Sequence, residues 1–438
     1  MTADADDSRP ERVGGGYHRA MPAIDVPAIR HRFPALAITE GGRPVAYFDG
    51  PGGTQVPQGV IDAMTRYLRT MNANHGGHFL TSERSDAALE HAHEVVADFL
   101  CADPDEVKFG ANMTTLNFAL SRSIGATLGP GDEVVVTWLD HEANVGPWET
   151  LARERDVVVR RVEFRPDDCT LDLDALREAI GPRTRHVAVG WASNAVGTIN
   201  PVAEIVRMAH AAGATVSVDA VAYAPHAGID VREVDCDFLL CSAYKFYGPH
   251  VGVLYGKRAL LATLPAFKVR PAEDRWETGT QNHEGIVGTA AAIEYLAEIG
   301  ERFGTPFAEG LSRYGGRRLA LKAALAAIRA TEMDLFARLM DGLDTVPGIR
   351  MWGILDRGRF HERCPTIAFR LGDRPPSETA AALGRRGLFT WDGDYYATGL
   401  MERLGLAETG GAVRVGLMHY NTPDEVDRLL EALRELSR

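Results

Sequence analysis

Between residues 130 and 256 the chain repeats one pattern: a short apolar, mostly β-branched run, then a longer stretch with apolar positions three or four apart. Strands are predicted at 134–136, 157–164, 186–191, 214–218, 238–241 and 252–255. Helices are predicted between them at 145–155, 173–180 and 201–212, where Pro201 supplies a start signal and Gly213 a stop. The apolar runs do not alternate with polar residues, so both faces of each strand are covered. Strand and helix alternation of this kind belongs to an α/β fold with a mainly parallel central sheet and helices on both faces. The last three strands lie too close together for full crossover helices, which predicts a mixed sheet. Long helices are expected at 284–302 and 319–343. A smaller C-terminal α/β unit follows, with strands near 349–354, 365–370 and 412–417 and helices near 376–386 and 423–437. The expected organisation is a disordered Asp- and Gly-rich tail over 1–20, a large domain over 21–305 and a small domain over 306–438. The first 25 or so residues of the large domain, from residue 21 on, are candidates to pack on the small domain.

In an open α/β sheet, ligands sit beyond the carboxyl ends of the strands. The residues that follow each apolar run here are chemically pointed. Asp140-His141-Glu142-Ala143-Asn144 follows one, Ala192-Ser193-Asn194 another, Asp219 a third, and Ser242-Ala243-Tyr244-Lys245 a fourth. A lysine just past an apolar strand is poorly solvated, which moves its pKa toward that of a nucleophilic amine. An aspartate on the same edge can hold a protonated pyridine nitrogen. A Schiff-base lysine with an acidic partner for the ring is what a pyridoxal 5′-phosphate (PLP) enzyme requires. Taken singly, His141 is also a helix cap and Asn194 a turn residue. Gly110-Ala111-Asn112-Met113-Thr114-Thr115 precedes a predicted helix, whose N-terminus attracts an anion such as phosphate. The same segment alone is equally an ordinary cap.

Composition narrows the partners. The chain has 438 residues, 45% hydrophobic and 24% charged, an ordinary balance for a globular protein of two domains. Its net charge of −13 argues against nucleic acid or an anionic membrane as a partner. The five cysteines, Cys101, Cys169, Cys236, Cys241 and Cys364, are scattered without metal-ligand spacing and fit a reducing cytoplasm. No secretory signal and no run of the ~18 residues needed to span a bilayer is expected. His75 and His78 flank a glycine pair without an apparent third ligand, so no metal site is read.

These motifs together resemble the class V aminotransferase group of fold-type I PLP enzymes, most closely its cysteine desulfurase branch. The resemblance runs from Tyr47-Phe48-Asp49 to Val426-Asp427-Arg428-Leu429. It implies that Lys245 forms the Schiff base and moves protons, that Asp219 pairs with the pyridinium, and that His141 stacks on the ring. It places Asn194 near the cofactor O3′ and the substrate carboxylate, and Met113, Thr114 and Ser242 at the phosphate. Thr280, in Glu-Thr-Gly-Thr-Gln-Asn, is implied to reach the phosphate of a partner subunit, hence a homodimer with shared active sites. Arg414 is implied as the clamp for an amino-acid carboxylate, a role suited to a guanidinium fork. Gly53, in the turn Gly50-Pro51-Gly52-Gly53, would let backbone approach that carboxylate.

Three positions depart from the family pattern. Desulfurases carry a mobile cysteine on a loop of the small domain, but residues 388–397 contain none. Cys364 lies elsewhere, at the start of an apolar strand. Ala222 stands where a glutamine is usual, and Tyr244 where many relatives have histidine. The segment Trp391-Asp392-Gly393-Asp394-Tyr395-Tyr396 reads two ways. Trp391 and Tyr396 line the substrate side chain, with Tyr395 or Tyr396 as acid/base, or the segment is a turn with aromatics packed between domains. The expected activity is PLP-dependent cleavage at Cβ of an amino acid, as in a C–S lyase. Alternatives are a genuine desulfurase, an aminotransferase or epimerase, and, outside catalysis, a silent PLP-fold binding or regulatory subunit.

Overall fold

The structure is a computed structural model that describes residues 24–269 and 274–438. The stretch expected as a disordered tail lies outside these. Seven strands form the central sheet: β1 Val107–Gly110, β2 Glu133–Thr137, β3 Val158–Val162, β4 Thr184–Gly190, β5 Thr215–Asp219, β6 Phe238–Ser242 and β7 Gly252–Gly256. Their spatial order is β1-β7-β6-β5-β4-β2-β3. Strands β3, β2, β4, β5 and β6 pair in parallel, whereas β7 is antiparallel to both neighbours. The sheet is therefore mixed, and the connection from Ser242 to Gly252 is too short for a crossover helix.

Successive residues of the inner strands feed two cores, whereas the edge strand β3 leaves Val158 exposed. Val134 and Val136 pack with α1 (Met113–Gly125) and α2 (Glu142–Arg155), through Leu116, Leu120 and Trp148. Val135, Val187 and Val216 face the other layer, with α3 (Val202–Ala211) and α4 (His283–Phe303). This is the physical content of uninterrupted apolar strands: a pleat has two faces, and both are dry.

The smaller unit holds an antiparallel sheet of β8 Ile349–Trp352, β9 Thr366–Leu371, β10 Trp391–Gly393 and β11 Ala412–Gly416, ordered β8-β9-β11-β10. Helix α6 (Pro423–Leu436) covers it, opened by a capping box between Thr422 and Glu425. Residues Ala46–Tyr47 pair with Leu388–Phe389, so Ala46 and Phe48 belong to this second core. Helix α5 (Gly316–Leu343) serves both cores. Leu321, Leu325 and Ile328 pack in the first, and Phe336, Leu339 and Leu343 in the second. The division expected at 305/306 precedes this helix, and the exchange of cores takes place inside it. Helices α4 and α5 touch at backbone level, since a Cβ on Gly300 would stand 1.8 Å from the Ala320 carbonyl oxygen.

Candidate active site

The carboxyl ends of β1, β2, β4, β5 and β6 converge on one cleft with two connected chambers. The first, about 620 Å³, lies along the sheet edge. Met113, Thr114, His141, Asn194, Asp219, Ser242 and Lys245 all line it. The second, about 600 Å³, opens between the sheet edge and the small unit, and shares Lys245, His141, Thr114 and Asn194. Gly53, Trp391, Tyr396 and Arg414 line this one. Thr280 is exposed and lines neither chamber.

Lys245 stands where the chambers meet. It follows β6 in a tight turn, and its Nζ donates to the carbonyls of Pro51 and of Gly52 (3.2 Å). Burial pushes its pKa down to about 7, helped by the Arg414 guanidinium and opposed by Asp219 and Asp49. Near neutrality this amine is therefore partly free to act as a nucleophile or base. Asp219, at the end of β5, accepts from the Val221 amide at 2.9 Å. Burial raises it to about 6, against the pull of that amide and of Lys245. A buried carboxylate of this kind calls for a cationic partner.

His141 caps α2, its Nδ1 accepting from the Ala143 amide at 2.9 Å. That bond fixes the neutral tautomer with hydrogen on Nε2. Burial lowers its pKa to about 4, with Lys245 and Arg414 adding to the effect. The cap and the ring-stacking role expected for His141 are thus compatible. Beneath it, Asp140 accepts from Gly190 N at 2.9 Å and Asn144 Nδ2 at 3.0 Å, and burial raises it to about 7. Gly190 is required here, because a Cβ would stand 2.7 Å from Asp140 Oδ1.

The anion end is built at α1. Asn112 caps the helix through Thr115 N at 2.9 Å, and Ser242 Oγ accepts from Met113 N at 2.9 Å. Gly252 lets β7 pass this loop, since a Cβ would meet the Asn112 backbone at 2.4 Å. Tyr244 stacks on His250, with ring centroids 4.8 Å apart, along the same wall.

Arg414, on β11, is buried, and its NH1 donates to the Asn194 carbonyl at 3.0 Å. Its guanidinium lies 4.5 Å from the centre of the Tyr395 ring. Burial lowers its pKa to about 10. Its Nε, Asn194 Oδ1 and Asp49 Oδ1 are buried without a hydrogen-bond partner among the described residues. Orphaned polar atoms converging on one cleft are the mark of a ligand site.

The structure separates the two tyrosines of the loop. Tyr395 is buried and donates its hydroxyl to the Ala412 carbonyl, while its own carbonyl accepts from Asn194 Nδ2 at 2.9 Å. It is a strut, as packing between domains would have it. Tyr396 is 70% exposed, lies over His141 at 5.5 Å, and has no hydrogen bond from its hydroxyl among the described residues. Both hold positive φ, 56° and 57°, a strained conformation for such side chains.

The residues fit PLP. Asp219 suits a pyridinium, the α1 N-terminus with Thr114 and Ser242 a phosphate, and Lys245 an aldehyde. Sequence reasoning passed over Asp49, Asp140 and His250 as site residues. Asp140 was legible as a strand-end carboxylate beside His141. Asp49 and His250 reach the cleft only through the packing of distant segments.

Comparison with known proteins agrees with this reading. The family model for "Aminotransferase class-V" matches residues 46–304 and 304–429. A cysteine desulfurase of Synechococcus elongatus is 34% identical over 96% of this chain, which spans 65% of that relative's length. A cysteine desulfurase of Pectobacterium atrosepticum is 32% identical, covering 94% of this chain and 97% of its own. Among solved structures, the apo cysteine desulfurase of Thermococcus onnurineus gives a TM-score of 0.79 at 27% identity, over 90% of this chain and 94% of that one. An Escherichia coli cysteine desulfurase gives 0.79 at 27%, over 94% and 98%.

Proposed function

We propose that this chain, which belongs to the class V aminotransferase family of PLP-dependent enzymes, cleaves the Cβ–S bond of a cysteine-type amino acid and releases the sulfur to solution. The observation that carries the reading is the fate of the cysteines. All five are buried, and none lines either chamber. Burial pushes Cys169 and Cys364 up to about 12, far from the thiolate that would accept sulfur. The relatives are named cysteine desulfurases; this chain offers the C–S chemistry without a sulfur acceptor of its own.

Bound PLP supplies an electron sink for the carbanion at the substrate Cα. The chain's residues do the rest. Arg414 holds the substrate carboxylate through its guanidinium, whose Nε the fold leaves unpaired, and Asn194, whose Nδ2 is engaged by the Tyr395 carbonyl, lies beside it. Lys245 Nζ takes the Cα proton, its lowered pKa leaving it partly neutral near pH 7. Asp219 would hold the ring nitrogen of the cofactor in its protonated form, and His141, a neutral imidazole, would lie against the ring. The free hydroxyl of Tyr396 protonates the departing sulfur. The overall change is R–S–CH2–CH(NH3+)–COO− plus water giving R–SH, pyruvate and ammonium, balanced and without net oxidation.

A homodimer fits the surface. Helix Gln58–Thr70 exposes Ile61 and Leu68, and Phe79 and Leu80 follow a few residues later in the chain, all more than 40% exposed. Thr280, outside the cleft of its own chain, would then serve the partner's. No helix among the described residues is long and apolar enough to cross a membrane.

Incubation of the PLP-loaded chain with cysteine, assayed for sulfide and pyruvate, tests the reading. Stoichiometric pyruvate and sulfide without any added thiol supports it. Alanine as the product, with sulfur retained on protein, identifies a desulfurase instead. Keto-acid or D-amino-acid products with sulfur still attached would point to transamination or epimerisation.

A further inference from the structure

The second chamber is far larger than a cysteine side chain needs. Its inner end holds Lys245 and Arg414, but its outer wall is another kind of surface: Phe118, Pro147, Trp391 and Tyr396. The three aromatics keep open faces, at 39%, 54% and 70% exposure. The outer carboxylate is Glu142, at the start of α2. Its side chain makes no hydrogen bond or ion pair among the described residues, and its Oε2 lies 4.0 Å from the Cβ position of Gly146. Burial raises the pKa of this carboxyl; of the charges that act on it, Arg161, itself bonded to Glu149, lowers it and Glu149, Glu402 and Asp394 raise it, while the cations Lys245 and Arg414 stand in the same chamber.

The wall is held firmly. Tyr396 O accepts from Glu142 N at 2.7 Å, tying the aromatic loop to the helix that carries the carboxylate. Trp391 is registered against Arg414 on the neighbouring strand. Aromatic faces beside an unpaired carboxylate are the surface that attracts a cation carried on an apolar stem. A small neutral side chain would leave both features unused.

We propose, building on the C–S lyase reading, that the second chamber receives the sulfur substituent of an S-substituted cysteine, and that this substituent is extended and ends in a positively charged nitrogen. In the balanced equation above, R is that cationic group and leaves as the thiol R–SH. Its stem lies along Trp391, Tyr396 and Phe118, and its charge faces Glu142.

The test compares S-alkyl cysteines of one length ending in trimethylammonium, tert-butyl or carboxylate, together with free cysteine. The PLP-loaded chain is assayed for thiol and pyruvate. Binding of the same compounds to the cofactor-free chain, where no bond breaks, is measured by calorimetry. The expected order of kcat/KM and of affinity is cationic, then neutral, then anionic. In Glu142→Gln, a change of equal size, the cationic-to-neutral ratio falls about fivefold to tenfold in both measurements. In Trp391→Ala the extended compounds lose ground to cysteine. Pyruvate from cysteine and from all three conjugates alike, with ratios unmoved by Glu142→Gln, would overturn this inference and leave the lyase reading standing. No pyruvate from any of the four would end both.

Discussion

The two chambers are built on different principles. At the sheet edge, each side chain sits at the end of a strand and is held by backbone. Asp219 is set by Val221 N, His141 by Ala143 N, Ser242 by Met113 N and Asp140 by Gly190 N. The outer chamber is walled by a short strand and a loop with strained backbone and open aromatic faces. The first is fixed by sheet periodicity, which many sequences share. The second depends on one loop, Trp391 to Tyr396, where a change of a few residues alters the whole wall. Chemistry common to a family resides in the former, and choice of substrate in the latter.

The comparison breaks most sharply at Lys245. Lys245→Ala should abolish the visible absorption of the bound cofactor and lower turnover by at least 10²–10⁴-fold or so. A variant that still turned over near the parent rate would remove the sheet edge from the chemistry. Next in size is Arg414→Ala, which takes a buried charge from the boundary between chambers. A loss of about 2–5 kcal/mol in carboxylate binding is expected, read as a KM raised roughly 30-fold or more. An unchanged KM would mean that the carboxylate is held elsewhere.

Acidity gives a gentler probe. Lys245 is lowered to about 7 from 10.5, so its charged form dominates below the lower value and its free amine above it. Capture of PLP by the cofactor-free chain should therefore speed up about tenfold per unit as pH rises toward 7, then level off. A rate that keeps climbing to about pH 10 would place the amine in ordinary solvent. Gly252→Ala presses a Cβ into the Asn112 backbone, at an expected cost of about 1–3 kcal/mol. PLP affinity should fall about tenfold, while the aromatic wall is untouched. The smallest effect belongs to Cys364→Ala. Removing this buried thiol should leave turnover within about twofold; a large loss would restore a sulfur-carrying role to it.

Much of the sheet edge was legible in the sequence, because strand ends are marked twice: by where an apolar run stops and by which polar residue follows. His141, Asn194, Asp219 and Lys245 all announce themselves so. The mixed sheet was legible from the crowding of the last three strands. The outer chamber was less so. Trp391 and Tyr396 were singled out, but nothing local says that Tyr395 is a strut and Tyr396 is free. That assignment rests on Ala412 and Asn194, far away in sequence. Glu142, Phe118 and Pro147 were invisible as site residues, since each has an ordinary place on a helix. The helices over 58–70 and 80–100 were passed over, although the first carries a regular apolar stripe through Val60, Ala63 and Tyr67; both pack on helix α4 rather than on a strand that would have marked them.

Helix α5 carries a consequence for how the molecule comes apart. Its first half is stitched into one core and its second into another, with Gly300 and Ala320 in backbone contact at the near end. Neither half can fray without exposing apolar side chains of the other's neighbours. Heating should therefore melt both units in one calorimetric step, although each owns a separate sheet. A proline placed near Ala330 would cut that shared spine, and the single endotherm would split into two.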